Sequence, residues 1–317
     1  MTAPSRTGEA WPNLFVVGAA RAGTTSLWRY LDGHPEIWMA PIKEPNFFSG
    51  VRHPLNPDVH DEATYLRLFA PGAGSKLRGE ASPSYLWSEG VPDRIKRVSP
   101  EARILVSLRD PVERTYSGYW YAVRLGKEDR PFPEAIREEL EEPRNRFVAS
   151  SFYAETVGRY LQAFPGAVHV LFLEELARDP RAEMRRVLDF LGVDAAVADR
   201  LDLKAHNSYA LPRSRLAGLV HNSPRVRAAA RAVAPLGLRL RVQRLLLRRP
   251  PRSAMESGVE AFLTELFALD VERLRTLLGR DLPWPRFGRT EDTGRAGVWP
   301  ERGGGEALEA PGSPFSS

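Results

Sequence analysis

Cysteine is absent from the 317 residues of this chain, which excludes disulfides, thiolate nucleophiles and cysteine metal sites together. Lysine is scarce. Of 45 basic residues only 5 are lysine and 40 are arginine, a bias that GC-rich bacterial genomes impose. No apolar run approaches the length that crosses a bilayer, and the opening "MTAPSRTGEAWPN" lacks the apolar stretch of a secretory signal. The expected location is therefore the cytoplasm. Carboxylates are missing from one long segment. Between Lys204 and Arg252 stand 12 basic residues and no acidic one, so the rest of the chain carries −7 against an overall +5. Such a segment invites a polyanion (a phosphorylated cofactor, a nucleic acid or a membrane surface) and reads equally well as a solvated helical face. The six histidines show no metal-ligand spacing, and His34 in "GHPEI" reads as structural.

What is present is enough for a buried core, with 43% of residues hydrophobic. "LFVVG" (Leu14–Gly18) is a short apolar run bounded by a turn, the pattern of a buried parallel strand. "ARILVSLRD" (Ala102–Asp110) and "AVHVLFLEEL" (Ala167–Leu176) have the same character. Helical spacing follows Gly23, with Leu27, Tyr30 and Leu31 on one face, and recurs over 112–123, 154–163 and 181–191. Strand–helix alternation predicts an α/β fold with a doubly wound parallel sheet flanked by helices, whose ligands sit beyond the carboxyl ends of the strands. Glu256–Leu278 is an amphipathic helix ended by Gly279. The expected layout is a flexible N-terminus over 1–13, one domain over 14–283 with a basic helical segment over 204–252, and a Gly- and Pro-rich disordered tail over 284–317.

The turn after the first strand, "GAARAGTT" (Gly18–Thr25), keeps the two glycines, the spacing and the final hydroxyl of a Walker A loop. The position of the Walker lysine is Thr24, and the positive charge stands at Arg21 instead. Backbone N–H groups at the start of the following helix still suit an anion, but without the lysine the loop suits a monophosphate better than a triphosphate. A nucleotide kinase or ATPase stays an alternative at this point, as does a non-enzymatic binder of nucleic acid or membrane acting through the basic segment.

The loop together with "KEPNFF" (Lys43–Phe48) resembles the sulfotransferases that use 3′-phosphoadenosine 5′-phosphosulfate (PAPS), in particular the heparan-sulfate branch and its bacterial relatives. The resemblance implies a P-loop-like central parallel sheet. It implies that Arg21, Ala22, Gly23, Thr24, Thr25 and Ser26 bind the 5′-phosphosulfate, with no metal required. It implies that Glu44 is the general base on the acceptor hydroxyl or amine, with Lys43 beside it favouring the ionised carboxylate and facing the sulfonate together with Arg21. In "LVSLRDPVERTYSGYWY" the matching Arg109 and Ser117 bind the 3′-phosphate; an arginine fork and a serine hydroxyl suit a phosphate on physical grounds too. The product is 3′-phosphoadenosine 5′-phosphate (PAP).

The chain also departs from that branch. Asn46 and Ser49 stand where some members carry a histidine and an aspartate, and Ala81 stands where a lysine is common in "GEASPSYLW" (Gly79–Trp87). The implied chemistry therefore comes without an implied glycosaminoglycan: carbohydrate, lipid and secondary-metabolite acceptors all fit. Ser82 and Tyr85 are candidates for lining the acceptor cleft, and Tyr85 equally for packing. "KAHNSYALPRSR" (Lys204–Arg215) occupies the place of a basic loop over the 3′-phosphate, which makes Arg213 and Arg215 candidate contacts although the family's K-G-R pattern is missing. No nucleic-acid partner is expected on this reading, and the remaining basic segment is compatible with peripheral contact to an anionic membrane.

Overall fold

The computed structural model describes residues 11–51, 59, 61–143, 146–204, 211–212, 247–248 and 254–288. The chain divides into two compact units, Met1–Arg109 with Glu155–Asn207, and Asp110–Ala154 with Ser208–Ser317. Its elements begin with β1 (Leu14–Gly18), α1 (Thr24–Asp32), β2 (Ile37–Met39), α2 (Glu62–Arg67), β3 (Leu77–Ala81), α3 (Val91–Val98) and β4 (Arg103–Leu108). Two helices of the second unit follow, α4 (Pro111–Leu125) and α5 (Phe132–Glu141). The chain then returns through α6 (Ala154–Ala163), β5 (Val168–Phe172), α7 (Leu173–Arg178) and α8 (Pro180–Leu191), and α9 spans Ser257–Leu278.

The first unit is built on a five-stranded sheet in the order β2-β3-β1-β4-β5 with every pairing parallel, the architecture the strand–helix alternation predicts. All five residues of β1 are buried, because a parallel sheet is covered on both faces. One face packs Leu14 and Val16 against Leu27, Tyr30 and Leu31 of α1 and Met184, Val187, Leu188 and Leu191 of α8. The other sets Phe15 against Phe48, whose ring in turn meets Tyr65 and Tyr85.

Two strands were illegible in the sequence. β2 is only three residues long, and β3 reads "LRGEA", with a glycine and a carboxylate that strands disfavour. Gly79 stands there because a Cβ would lie 2.5 Å from the sulfur of Met39 on the neighbouring strand. The strand expected over 167–176 is half as long. β5 stops at Phe172 and α7 starts at once, since "LEELAR" consists of strong helix formers without β-branched residues. Order also begins before residue 14: the Asn13 N–H donates to the Arg78 carbonyl at 2.9 Å, and the Trp11 ring lies 6.0 Å from that of Tyr65.

In the second unit α4 starts from Asp110, whose carboxylate accepts from the Val112 and Glu113 N–H groups at 2.9 and 3.1 Å. α9 matches its expected span to within a residue and ends at Gly279 with φ 62°, the left-handed C-terminus that glycine takes without strain. Asp270 of α9 accepts from the Tyr153 N–H at 2.6 Å. The tail expected from 284 is ordered for five residues more. Trp284 is buried, and Arg286 pairs with Asp110 at 2.7 Å and Glu260 at 2.6 Å. Composition alone missed this, because two aromatics and an arginine within "WPRFG" find partners that a Gly/Pro count ignores. Residues 289–317 lie outside the described residues. So does nearly all of the expected helical segment 204–252, apart from Lys204 and an antiparallel pair of two-residue strands, Leu211–Pro212 with Leu247–Arg248. Among the described residues no helix is long and apolar enough to cross a membrane.

Candidate active site

The Gly18–Thr25 turn leaves the carboxyl end of β1 and is fixed from the neighbouring strand by one residue. The Ala19 N–H donates to the Ser107 carbonyl at 2.6 Å, and Ser107 Oγ donates to the Ala22 carbonyl at 2.5 Å. Gly23, at φ 83°, turns the chain into α1. A Cβ there would lie 2.8 Å from Leu173 Cδ1, so a side chain at position 23 is disfavoured by the backbone conformation and would have to push aside the end of the Leu173 side chain. The N-cap position of α1 is this glycine, which brings no side chain to the first turn, and such a helix start suits an external anion. Thr24 and Ser26 are buried at the turn, while Arg21 and Thr25 are partly exposed. Tyr30, one helical turn further on, donates to the Lys204 carbonyl at 2.9 Å and so ties the start of the basic segment to α1.

Lys43 and Glu44 lie on the loop that leaves the carboxyl end of β2, on the same edge of the sheet. They form an ion pair at 3.1 Å with the side chains 14% and 28% exposed, so both remain reachable from solvent. Four non-glycine residues among those described have left-handed φ: Arg21 (70°), Glu44 (67°), Asn46 (55°) and Arg146. Three of the four belong to the two loops singled out from the sequence. A left-handed non-glycine residue costs on the order of 1–3 kcal/mol, least for asparagine, and persists where the surroundings over-determine it.

What over-determines the Glu44 loop is a buried polar network that the sequence reading missed. The Asn46 N–H donates to Ser82 Oγ at 3.0 Å, and Ser84 Oγ donates to Asn46 Oδ1 at 2.6 Å. The Phe48 N–H donates to the Tyr85 hydroxyl at 3.2 Å, and Arg94 Nε donates to the Phe48 carbonyl at 2.7 Å. Phe47 stacks on Tyr65 at 4.3 Å between ring centres. At the centre lies Glu80, fully buried on β3. Tyr65 and Tyr85 both donate to its Oε1 at 2.7 Å, and Ser82 donates to Oε2 at 2.5 Å. Burial pushes the Glu80 carboxyl up to about 7 against the pull of its three hydroxyl donors, and the charge of Glu44 adds to the rise. Burial likewise pushes the Tyr65 and Tyr85 hydroxyls well above their ordinary range. The available signal was a lone carboxylate in a strand buried on both faces, a position charged residues take only when partnered.

Ser82 and Tyr85, the candidates for the acceptor cleft, are both fully buried and engaged with Glu80, the packing role that the sequence equally allowed for Tyr85. Asn46 and Ser49 belong to the same network: Ser49 Oγ donates to the Asn46 carbonyl at 3.1 Å and lies 3.0 Å from Ser84 Oγ. Arg109 directly follows β4 and is partly exposed at the edge of the first unit, whereas Ser117 is buried within α4 of the second. The start of α4 is held from its own unit by the Arg286–Asp110 pair. Arg213 and Arg215 lie outside the described residues. His34 is structural as expected: it is buried, with Nε2 3.0 Å from the Asp194 carbonyl and Nδ1 accepting from the Glu36 N–H at 3.2 Å.

With this geometry in place, residues 12–214 match the family model of the sulfotransferase domain, which covers well over half of the chain. The chain belongs to that family. It is 33% identical to a sulfotransferase of Alicyclobacillus acidocaldarius of known crystal structure, with a TM-score of 0.64 over 86% of this chain and 98% of that one. It is 30% identical over 200 residues to mouse heparan sulfate glucosamine 3-O-sulfotransferase 3B1, covering 60% of this chain and 48% of the relative. Human bifunctional heparan sulfate N-deacetylase/N-sulfotransferase 2 is 26% identical over 201 residues, covering 59% and 23%. The chain thus spans about half the length of the first of these curated relatives and less of the second.

Proposed function

We propose that the protein is a sulfotransferase of the PAPS-dependent class, which moves a sulfonate from PAPS to a hydroxyl or amine acceptor. One observation carries the reading. A Walker-like loop without its lysine, latched by Ser107 onto an uncapped helix start, shares a sheet edge with a solvent-reachable lysine–glutamate pair held in strained backbone. The loop offers the amide groups of residues 23–25 and the Arg21 charge to one anionic group, while the Ala22 and Ser26 N–H groups already donate to the Ala19 and Gly23 carbonyls at 3.2 and 2.9 Å. PAPS supplies an activated sulfonate on an oxygen whose departure leaves an ordinary phosphate.

In this reading Glu44 takes the proton from the acceptor as the acceptor oxygen or nitrogen bonds to sulfur. The sulfur–oxygen bond to the 5′-phosphate breaks, and its electron pair stays on that oxygen. Arg21, Lys43 and the loop amides stabilise the charge that collects there. Arg21 acts by charge alone, because a guanidinium does not give up its proton. Arg109 and Ser117, with Arg213 and Arg215, are the candidates for the 3′-phosphate. By their names, the first curated relative acts on glucosamine of heparan sulfate and the second on heparan sulfate. For this chain the acceptor is proposed as a hydroxyl or amine of a carbohydrate, lipid or secondary metabolite, and the place of action as the cytoplasm.

The test is to incubate the purified protein with labelled PAPS and an extract of the cells that make it, and to search by mass spectrometry for a sulfonate gain. Retention on immobilised PAP and a labelled product are expected. Magnesium-dependent ATP turnover without PAP binding would overturn the reading in favour of a kinase. Steeply salt-dependent binding to nucleic acid or anionic vesicles without PAP binding would favour the non-enzymatic binder.

A further inference from the structure

We infer that Glu80 is a positioning residue for Glu44: its carboxylate orients two hydroxyl relays that fix the backbone of the loop on which Glu44 sits. The inference rests on the proposed role of Glu44 as base, but its structural half can be read separately.

The polarity of the network makes the case. Above about pH 7 the Glu80 carboxyl is ionised and only accepts, so Ser82, Tyr65 and Tyr85 then turn their hydroxyl hydrogens inward, in keeping with their short distances to Oε1 and Oε2. The lone pairs of Ser82 and Tyr85 then face outward and receive the N–H groups of Asn46 and Phe48. Two relays thus run in one direction: Asn46 N–H to Ser82 to Glu80, and Phe48 N–H to Tyr85 to Glu80. They seize the loop two and four residues past Glu44, and one of them ends on Asn46, itself left-handed at φ 55°. Tyr85 is braced by Tyr160, whose hydroxyl donates to the Tyr85 carbonyl at 2.9 Å.

A carboxylate is a costly choice at this position: its partner in the β1 register is Phe15, aromatic rings surround it, and it stays only because three hydroxyls donate to it. Burial works against this group, as its raised titration shows, with Glu44, Tyr65, Tyr85 and Tyr160 the titratable groups around it. A costly group whose bonds all converge on one functional loop fits a role in placing that loop. Misplacing a reacting group by about 1 Å costs on the order of 100-fold in rate.

The experiment compares Glu80→Gln, Ser82→Ala and Glu44→Gln with the parent by amide hydrogen exchange and by initial rate of label transfer from PAPS into the cell extract. In Glu80→Gln the Gln amide nitrogen faces Ser82 and reverses that relay, while the amide oxygen can still serve the tyrosines. Exchange at Asn46 should quicken about tenfold or more in Glu80→Gln and in Ser82→Ala, with Phe48 least affected in the latter. Transfer at saturating PAPS should fall about 10–100-fold, with the half-saturating PAPS concentration and PAP affinity unchanged. Because Glu80 acts through Glu44, the double variant Glu44→Gln/Glu80→Gln should be no slower than Glu44→Gln alone. Parent-like exchange at Asn46 in a folded Glu80→Gln or Ser82→Ala protein overturns the inference. So does parent-like transfer despite quickened exchange, or a double variant slower than Glu44→Gln. Full transfer by Glu44→Gln instead defeats the base assignment, and the exchange data then still decide whether Glu80 holds the loop.

Discussion

The two loops at the carboxyl edge of the sheet reach strained conformations by opposite means. The Gly18–Thr25 loop is shaped from within: glycines open the turn, the helix start supplies the donors, and a single serine from β4 latches it. The Lys43–Ser49 loop has no glycine before Gly50, and Glu44 and Asn46 are nonetheless left-handed. Its shape is imposed from outside, by Ser82, Ser84, Tyr85 and Arg94 and by Glu80 behind them. In the proposed reading the first loop holds a constant group and carries its shape in its own residues, whereas the second aims Glu44 and draws its shape from the strand beneath it.

Breaking each loop separately tests that contrast, and the largest effect belongs to the aimed carboxylate. Glu44→Gln should lower transfer from PAPS by about 10²–10⁴-fold while PAP binding, followed by calorimetry, stays at the parent level.

Next comes the pH dependence of stability. The Glu80 carboxyl titrates near 7 in the folded protein against 4.5 as an ordinary glutamate, so between these values the folded state holds the proton that the unfolded state has lost. Its contribution is complete below pH 4.5 and is lost as pH rises through 7, a fall of about 3 kcal/mol at most. Denaturant titrations of Glu80→Gln over that window should lose this downward slope. A parallel slope in parent and variant would mean that Glu80 is not the group responsible.

Gly23→Ala should then cost about 1–2 kcal/mol through the forced left-handed conformation, with the clash on Leu173 added, and should weaken PAP binding more than it slows transfer. The smallest effect is expected from Ser107→Ala, which removes the latch on the Ala22 carbonyl. A loss of about 1 kcal/mol in thermal unfolding should accompany a rise in the KM for PAPS with kcat little changed. If Ser107→Ala lowered kcat and left KM alone, the division of labour between the loops would need redrawing.

Much of the fold was legible because its signals are local. β1, β4 and β5 announce themselves as short apolar runs, and α1, α4, α8 and α9 by spacing, caps and closing glycines. β2 and β3 escaped because three residues carry no period and because Gly79 and Glu80 are there for their neighbours' sake. Arg21, Lys43 and Glu44 were legible by motif. Glu80, Ser84, Arg94 and Ser107 were not, since each acts, directly or through its hydroxyl partners, across 36 to 85 residues of sequence, where no motif reaches.

The sequence by itself determined that this chain would bury a parallel sheet, turn out of its first strand through a Walker-like loop without the Walker lysine, and carry a lysine–glutamate pair soon after. Those features depend on residues adjacent in the chain. Only the tertiary structure decided that Ser82 and Tyr85 face inward rather than into a cleft. A buried carboxylate one strand away sets the direction in which their hydroxyls point, and hydrogen-bond direction across strands is a property of the fold.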